Sequence, residues 1–363
     1  MTKPINLALQ GGGSHGAYTW GVLDALIEAE AFEFAAISGT SAGAMNLAAM
    51  ADGWARGGPN GARRKLHDFW RAVSTAAVLS PVQRSPIDRL FGNWSVQRSP
   101  GLWWWEAVTR MFSPYDTPVE INPLRRIVER EIDFEAVRDC QAFEPFVSAV
   151  SVWTGRLRVF GRTELSLDTV MASACLPRIF RAVEIDGEPF WDGGYAGNPA
   201  LFPLFYANGI EDVLLVQINP IERTETPRTA TEIANRVDEI TFNQSLLSEL
   251  RAVEFVRRLR EAGQLDERYK AIRMHRIDAD VLTEELTSAS KLNAEWAFLT
   301  YLRDLGRAAA LDWIDANGDA IGQRATFDLS DMLSAPTLAM IRDGHRKRMG
   351  PRMRAALNRG RSG

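Results

Sequence analysis

Three short segments carry residue types whose chemistry could combine. They are Gly11-Gly12-Gly13-Ser14-His15-Gly16, Gly39-Thr40-Ser41-Ala42-Gly43 and Asp192-Gly193-Gly194. A serine in a G-x-S-x-G pattern between a strand and a helix is a nucleophile elbow. The sharp turn exposes its hydroxyl, and the small neighbours let backbone and substrate approach. A glycine run where a strand passes into a helix offers backbone N–H groups to a negative oxygen. An aspartate set between a strand end and two glycines can serve that serine as a base or an orienting acid. Each segment also has a plainer reading as a glycine turn, a capping serine or an Asx turn. Their order singles them out: a glycine loop, one helix, a serine elbow, then Asp-Gly-Gly at a later strand end.

Two other chemistries compete. Residues 11–16 fit the G-x-G-x-x-G pattern of a dinucleotide site. That site also needs an acid at the end of the second strand to hold a ribose. Here that strand ends in Ser38-Gly39-Thr40-Ser41, which argues against it. A Ser-Asp-His triad needs a histidine after Asp192, and only His275 and His345 follow it. Neither stands at a glycine-marked strand end. His67 reads as a helix-face residue. His15, inside the glycine loop, is badly placed as a base for Ser41 and is a candidate anion contact.

The elements that must position these residues are legible from periodicity. Residues 5–10 and 34–38 read as short buried strands, and 16–30 between them as a helix. A strand–helix–strand unit implies parallel pairing. A helix over 41–50 follows the elbow. Residues 57–61 read as a loop, and 62–78 and 122–132 as helices. Strands are predicted at 146–152, 157–160 and 212–218, with a short helix at 167–174. A hairpin is predicted around Asp186-Gly187-Glu188. After residue 220 the pattern becomes mainly helical, at 229–262 and 293–316, with one alternating stretch at 270–277. The expected division is a catalytic α/β part over 1–220 and a mainly helical extension over 221–363. The basic end, with Arg346, Lys347, Arg348 and Arg352, reads as solvated and frayed.

The three motifs together resemble those of the patatin-like phospholipase family of lipid acyl hydrolases. Ala172-Ser173-Ala174-Cys175-Leu176-Pro177 is similar to the segment that precedes that family's aspartate. The resemblance spans about the first 200 residues, and the rest is similar to the extension of some bacterial members. It implies a three-layer α/β fold around a mostly parallel sheet. It implies Ser41 as nucleophile, Asp192 as base, and no histidine. Gly39 and Gly43 would form the elbow, and the N–H groups of Gly11, Gly12 and Gly13 the oxyanion hole. No cofactor and no metal are implied. One departure is His15, where the family usually has Arg or Lys; a charge there would vary with pH.

Composition narrows the function classes. The chain has 363 residues, a net charge of −4, four histidines and two cysteines. That length can bury a core without disulfides or metals. Cys140 and Cys175 are too few for a disulfide framework or a cysteine zinc site, which fits a cytoplasmic setting. The near-neutral balance argues against nucleic acid as a partner. No stretch is apolar enough to span a membrane. Of eleven tryptophans, Trp94, Trp103, Trp104 and Trp105 crowd a Pro-rich insertion at about 80–118. They are either a cap on the core or an acyl pocket, a lid or an interfacial anchor. The expectation is a serine lipid acyl hydrolase acting on phospholipids or related lipids, in peripheral contact with membranes. The alternatives are an esterase or depolymerase acting on other hydrophobic esters, and a silent lipid-binding scaffold.

Overall fold

The structure is a computed structural model that describes residues 2–78, 80, 82–85, 88, 93–116, 122–223, 225–266, 268–279, 288–333 and 350–360. The chain opens with the expected unit: β1 (Lys3–Leu9), α1 (Gly16–Glu28) and β2 (Phe32–Gly39), the two strands pairing in parallel. α2 (Ala42–Ala77) leaves directly from the elbow. The predicted loop at 57–61 is instead a break inside this helix. Only Gly57 and Gly58 depart from helical dihedrals, and Pro59 restarts the helix with its fixed φ. Then come α3 (Pro100–Met111), α4 (Pro123–Glu131) and α5 (Phe134–Asp139). β3 (Glu144–Ser151), β4 (Leu157–Phe160), α6 (Leu167–Ser173), β5 (Val183–Ile185) and β6 (Glu188–Asp192) follow. The β5–β6 hairpin turns at Asp186 and Gly187, both at positive φ, as a two-residue hairpin turn requires.

Next are α7 (Phe202–Ala207), β7 (Asp212–Gln217), α8 (Ala230–Glu261), β8 (Arg273–Asp278), α9 (Trp296–Asn317), α10 (Leu329–Leu333) and α11 (Pro351–Gly360). The sheet runs β5-β6-β3-β2-β1-β7-β8, with β4 also on β3. The pairings among β3, β2, β1, β7 and β8 are parallel, and those of β4, β5 and β6 antiparallel. Alternate side chains feed two cores. Leu7, Leu9, Leu214 and Val216 join α1, α2, α9 and α11 on one face. Ala8, Val213, Leu215 and Met274 meet Leu204 of α7 and Leu246 and Leu250 of α8 on the other. This is the expected three-layer α/β architecture with a mostly parallel sheet.

Residues beyond 220 therefore share both cores. β8 forms an edge of the sheet, and α9 lies along α1. The two helices touch through glycines. A Cβ on Gly21 would sit 1.9 Å from the Arg303 carbonyl oxygen, and one on Gly306 2.1 Å from that of Tyr18. The described part of the basic end is docked rather than frayed. α11 buries Met353, Ala356 and Leu357, and Arg352 pairs with Asp312 and Asp315. Arg346, Lys347 and Arg348 lie outside the described residues.

Candidate active site

Strand register brings the serine and the aspartate together. Val147 of β3 pairs with Gly39 of β2 and Phe160 of β4, so β2 and β4 flank β3 on opposite sides. Val150 pairs with Leu157 of β4 and Trp191 of β6, so β6 lies on the same side of β3 as β2. β2 and β6 thus run end to end. Gly39 sits opposite Val147 and Asp192 opposite Ala149, a gap of about 7 Å along the strand. Ser148 lies between, its hydroxyl 2.7 Å from that of Thr40. Gly193 presses on the Ser148 carbonyl, where a Cβ would come within 2.3 Å.

Ser41 turns the chain from β2 into α2 at φ 53°, ψ −118°. A non-glycine residue in that region stores roughly 1–3 kcal/mol of strain. The turn is held by Gly43 N–H donating to the Thr40 carbonyl and by Ser41 N–H donating to the Ser173 hydroxyl at 2.9 Å. Gly43 has no room for a side chain, since a Cβ would fall 2.2 Å from the Leu9 carbonyl oxygen. The glycine loop abuts the serine from the other side. A Cβ on Gly11 would lie 2.6 Å from the Ser41 Cβ.

Asp192 is buried, and Gly194 N–H donates to its Oδ1 at 2.7 Å. Burial pushes its pKa up to about 7, against the lowering effect of the Gly194 N–H and the nearby Ser41 hydroxyl. Phe242 of α8 packs over Gly194 and lies 4.9 Å, ring to ring, from Tyr195. Burial and the nearby carboxylates of Asp192 and Asp238 push the Tyr195 pKa to about 12.

The three glycines expected to offer N–H groups to an oxyanion are not alike. The Gly11 N–H is already committed to Asn198 Oδ1 at 2.7 Å. Among the described residues, the N–H groups of Gly12 and Gly13 have no protein acceptor. Asn198 Nδ2, on the side chain whose Oδ1 holds Gly11, is buried and also without an acceptor among those residues. His15 is buried, with Nε2 2.8 Å from the Ser290 hydroxyl and its ring edge-on to Phe298. Burial first, then Lys291 and Arg223, hold its pKa well below the ordinary histidine range. It therefore presents no charge near neutral pH.

Of the histidines after the aspartate, His275 stands away from Ser41 and Asp192. His275 pairs with Asp212 at 3.0 Å and Thr326 at 2.9 Å. Asp212 opens β7, at the end of the sheet opposite Ser41. His345 lies outside the described residues. The tryptophans separate. Trp94 stacks on Tyr301 and packs against Phe298 of α9, with Arg84 over its ring. Trp103 and Trp104 of α3 are 64% and 63% exposed. Nothing is described of the Trp105 side chain.

Reading the sequence missed Asn198, Asn219 and Lys291. Asn219 Nδ2 donates to the Gly11 carbonyl at 2.5 Å, and Lys291 Nζ donates to Asn219 Oδ1 at 2.7 Å. The one available signal was positional: Asn219 follows closely on β7, where ligand sites in such sheets gather. Among the described residues no cluster has the make-up of a metal site, and no helix is long and apolar enough to cross a membrane.

A family model described as Patatin-like phospholipase matches residues 7–206. No curated protein matches the chain. Similar solved structures include VipD from Legionella pneumophila, at 13% identity and a TM-score of 0.37, covering 94% of this chain and 74% of VipD. Another is the heterodimeric ExoU–SpcU complex from the type III secretion system of Pseudomonas aeruginosa. There the match is at 14% identity and a TM-score of 0.29, covering 98% of this chain and 69% of the other.

Proposed function

The chain belongs to the patatin-like phospholipase family and is a hydrolase of ester bonds, and on that premise we propose that it cleaves phospholipids or related lipids through a Ser41–Asp192 dyad. The observation that carries this reading is the buried Asp192 carboxyl, without an ion pair among the described residues, which the strand register sets beside the Ser41 turn. In water a carboxylate is too weak a base for a serine. Burial that lifts its pKa to about 7 strengthens it near the pH at which it must work.

In the first step the Ser41 oxygen bonds to the ester carbonyl carbon and its proton passes to Asp192. The carbonyl π pair moves onto oxygen, which faces the N–H groups of Gly12 and Gly13. One such donor typically contributes about 3–4 kcal/mol to the transition state. The tetrahedral species then collapses, and the C–O bond to the alcohol breaks as Asp192 returns the proton. Water then gives a proton to Asp192 and its oxygen bonds to the acyl carbon; the bond from that carbon to the Ser41 oxygen breaks, and Asp192 returns the proton to Ser41. The strained turn at Ser41 keeps its oxygen presented to the substrate throughout. The exposed Trp103, Trp104, Met111 and Phe112 on and just after α3 favour work at a lipid surface.

Fatty-acid release from phosphatidylcholine or phosphatidylglycerol vesicles, set beside soluble short-chain esters, tests the substrate class. The proposal expects release from vesicles that is lost in Ser41→Ala. Turnover confined to the soluble esters would contradict it.

A further inference from the structure

Behind the glycine loop lies a polar chain, buried at Asn219 and part-buried at Lys291, that the dyad does not use. Lys291 Nζ donates to Asn219 Oδ1 at 2.7 Å, and Asn219 Nδ2 donates to the Gly11 carbonyl at 2.5 Å. That carbonyl belongs to the Gly11–Gly12 peptide. In a trans peptide the C=O and N–H groups point in opposite directions. The Gly12 N–H therefore points away from Asn219, and among the described residues it has no protein acceptor. The Gly11 end of the same peptide presses on Ser41.

Asn219 is itself fixed, its own N–H donating to Gln10 Oε1 at 2.8 Å. The loop is also gripped directly by the turn at Ser288–Leu292, since a Cβ on Gly13 would lie 2.7 Å from the Lys291 carbonyl oxygen. Burial lowers the Lys291 pKa, an effect that Glu239 opposes and Arg223 adds to. Protonated or not, Nζ has an N–H to give Asn219. Hydrogen bonds in such a chain polarise one another, so a donor on the Gly11 carbonyl makes the Gly12 N–H a stronger donor.

Resting on the reading of Ser41 as nucleophile, we propose that Lys291 is a positioning residue for the oxyanion site. Through Asn219 it orients and polarises the Gly11–Gly12 peptide, so that the Gly12 N–H meets the oxygen that becomes charged. Asn219 and Lys291 both lie beyond the residues 7–206 that match the family model. The extension thus completes the site rather than only supporting it.

The test uses the full chain with a soluble p-nitrophenyl ester and compares Lys291→Met, Lys291→Arg, Asn219→Ser and the double variant. Removing an interaction that is made only in the transition state lowers kcat and spares KM. The expectation for Lys291→Met is a kcat lower by about tenfold or more, with KM changed by less than about twofold. Lys291→Arg should recover most of the loss. The double variant should be no slower than its slower parent, because both act through one peptide. Unchanged kcat in a folded Lys291→Met, additive losses in the double variant, or a loss confined to KM would each overturn the proposal. Should Lys291→Met not fold, Asn219→Ser decides by the same criteria. Ser41→Ala separates the two readings. If it is inactive while Lys291→Met keeps full kcat, the lysine proposal fails alone; if it is active, both fail.

Discussion

Among the described residues, the buried carboxylate of Asp192 makes no ion pair and accepts a hydrogen bond from the N–H of Gly194. That environment fixes the sign of two pH effects. As a base Asp192 must be ionised, so kcat/KM should rise with pH, reach half its maximum near 7 and then level off. Its folded pKa lies above the unfolded carboxylate value, so the native state binds this proton more tightly. The stability this contributes is whole below about pH 4 and is lost as pH rises through 7. Asp192→Asn should therefore abolish turnover yet raise the melting temperature at pH 8, with little change at pH 4. A flat rate profile from pH 5 to 9 would contradict the assignment. Ser41, Asp192 and the glycines are legible in the sequence because their types and order are themselves the signal. Asn198, Asn219 and Lys291 are not, because a lone Asn or Lys acquires meaning only from the distant backbone it meets. His15 reads in the sequence as a charge that varies with pH, because sequence does not report its burial against Ser290 and Phe298.

At the scale of elements, the parallel unit around α1 is readable from buried strands and glycine punctuation, and the hairpin from Asp186-Gly187. Less readable is that β3 runs past the end of β2 and receives β6 along the same edge. That register delivers Asp192 to Ser41, and it depends on two non-local pairings, Gly39 with Val147 and Ala149 with Asp192. The break at Gly57-Gly58 looks like a loop in the sequence, since glycine density alone does not distinguish a kink from a connection. Helix packing is hidden too. The α1–α9 crossing depends on Gly21 and Gly306, each facing a carbonyl of the other helix at a distance that excludes a side chain. Gly306→Val should destabilise the fold by roughly 1–3 kcal/mol or more through overpacking, read as a lower urea midpoint. A variant as stable as wild type would show that the two helices are not so closely joined.

For the molecule as a whole, the catalytic motifs end by Gly194, but the structure that holds them does not. α8 covers one face of the sheet, β8 extends its edge, and α9 packs on α1. A chain ending at residue 220 should accordingly expose both cores and fail to fold, checked by its far-UV circular dichroism and its solubility. A soluble, cooperatively melting fragment would show the extension to be separable.

On the proposed reading Ser41 is the nucleophile and acts without a histidine. Covalent labelling by a fluorophosphonate probe tests it most directly, across wild type, Ser41→Ala, Ser14→Ala and His275→Asn. The predicted result is labelling of wild type, Ser14→Ala and folded His275→Asn, and none of Ser41→Ala. Labelling that survives in Ser41→Ala, or that vanishes in a folded His275→Asn, would contradict it.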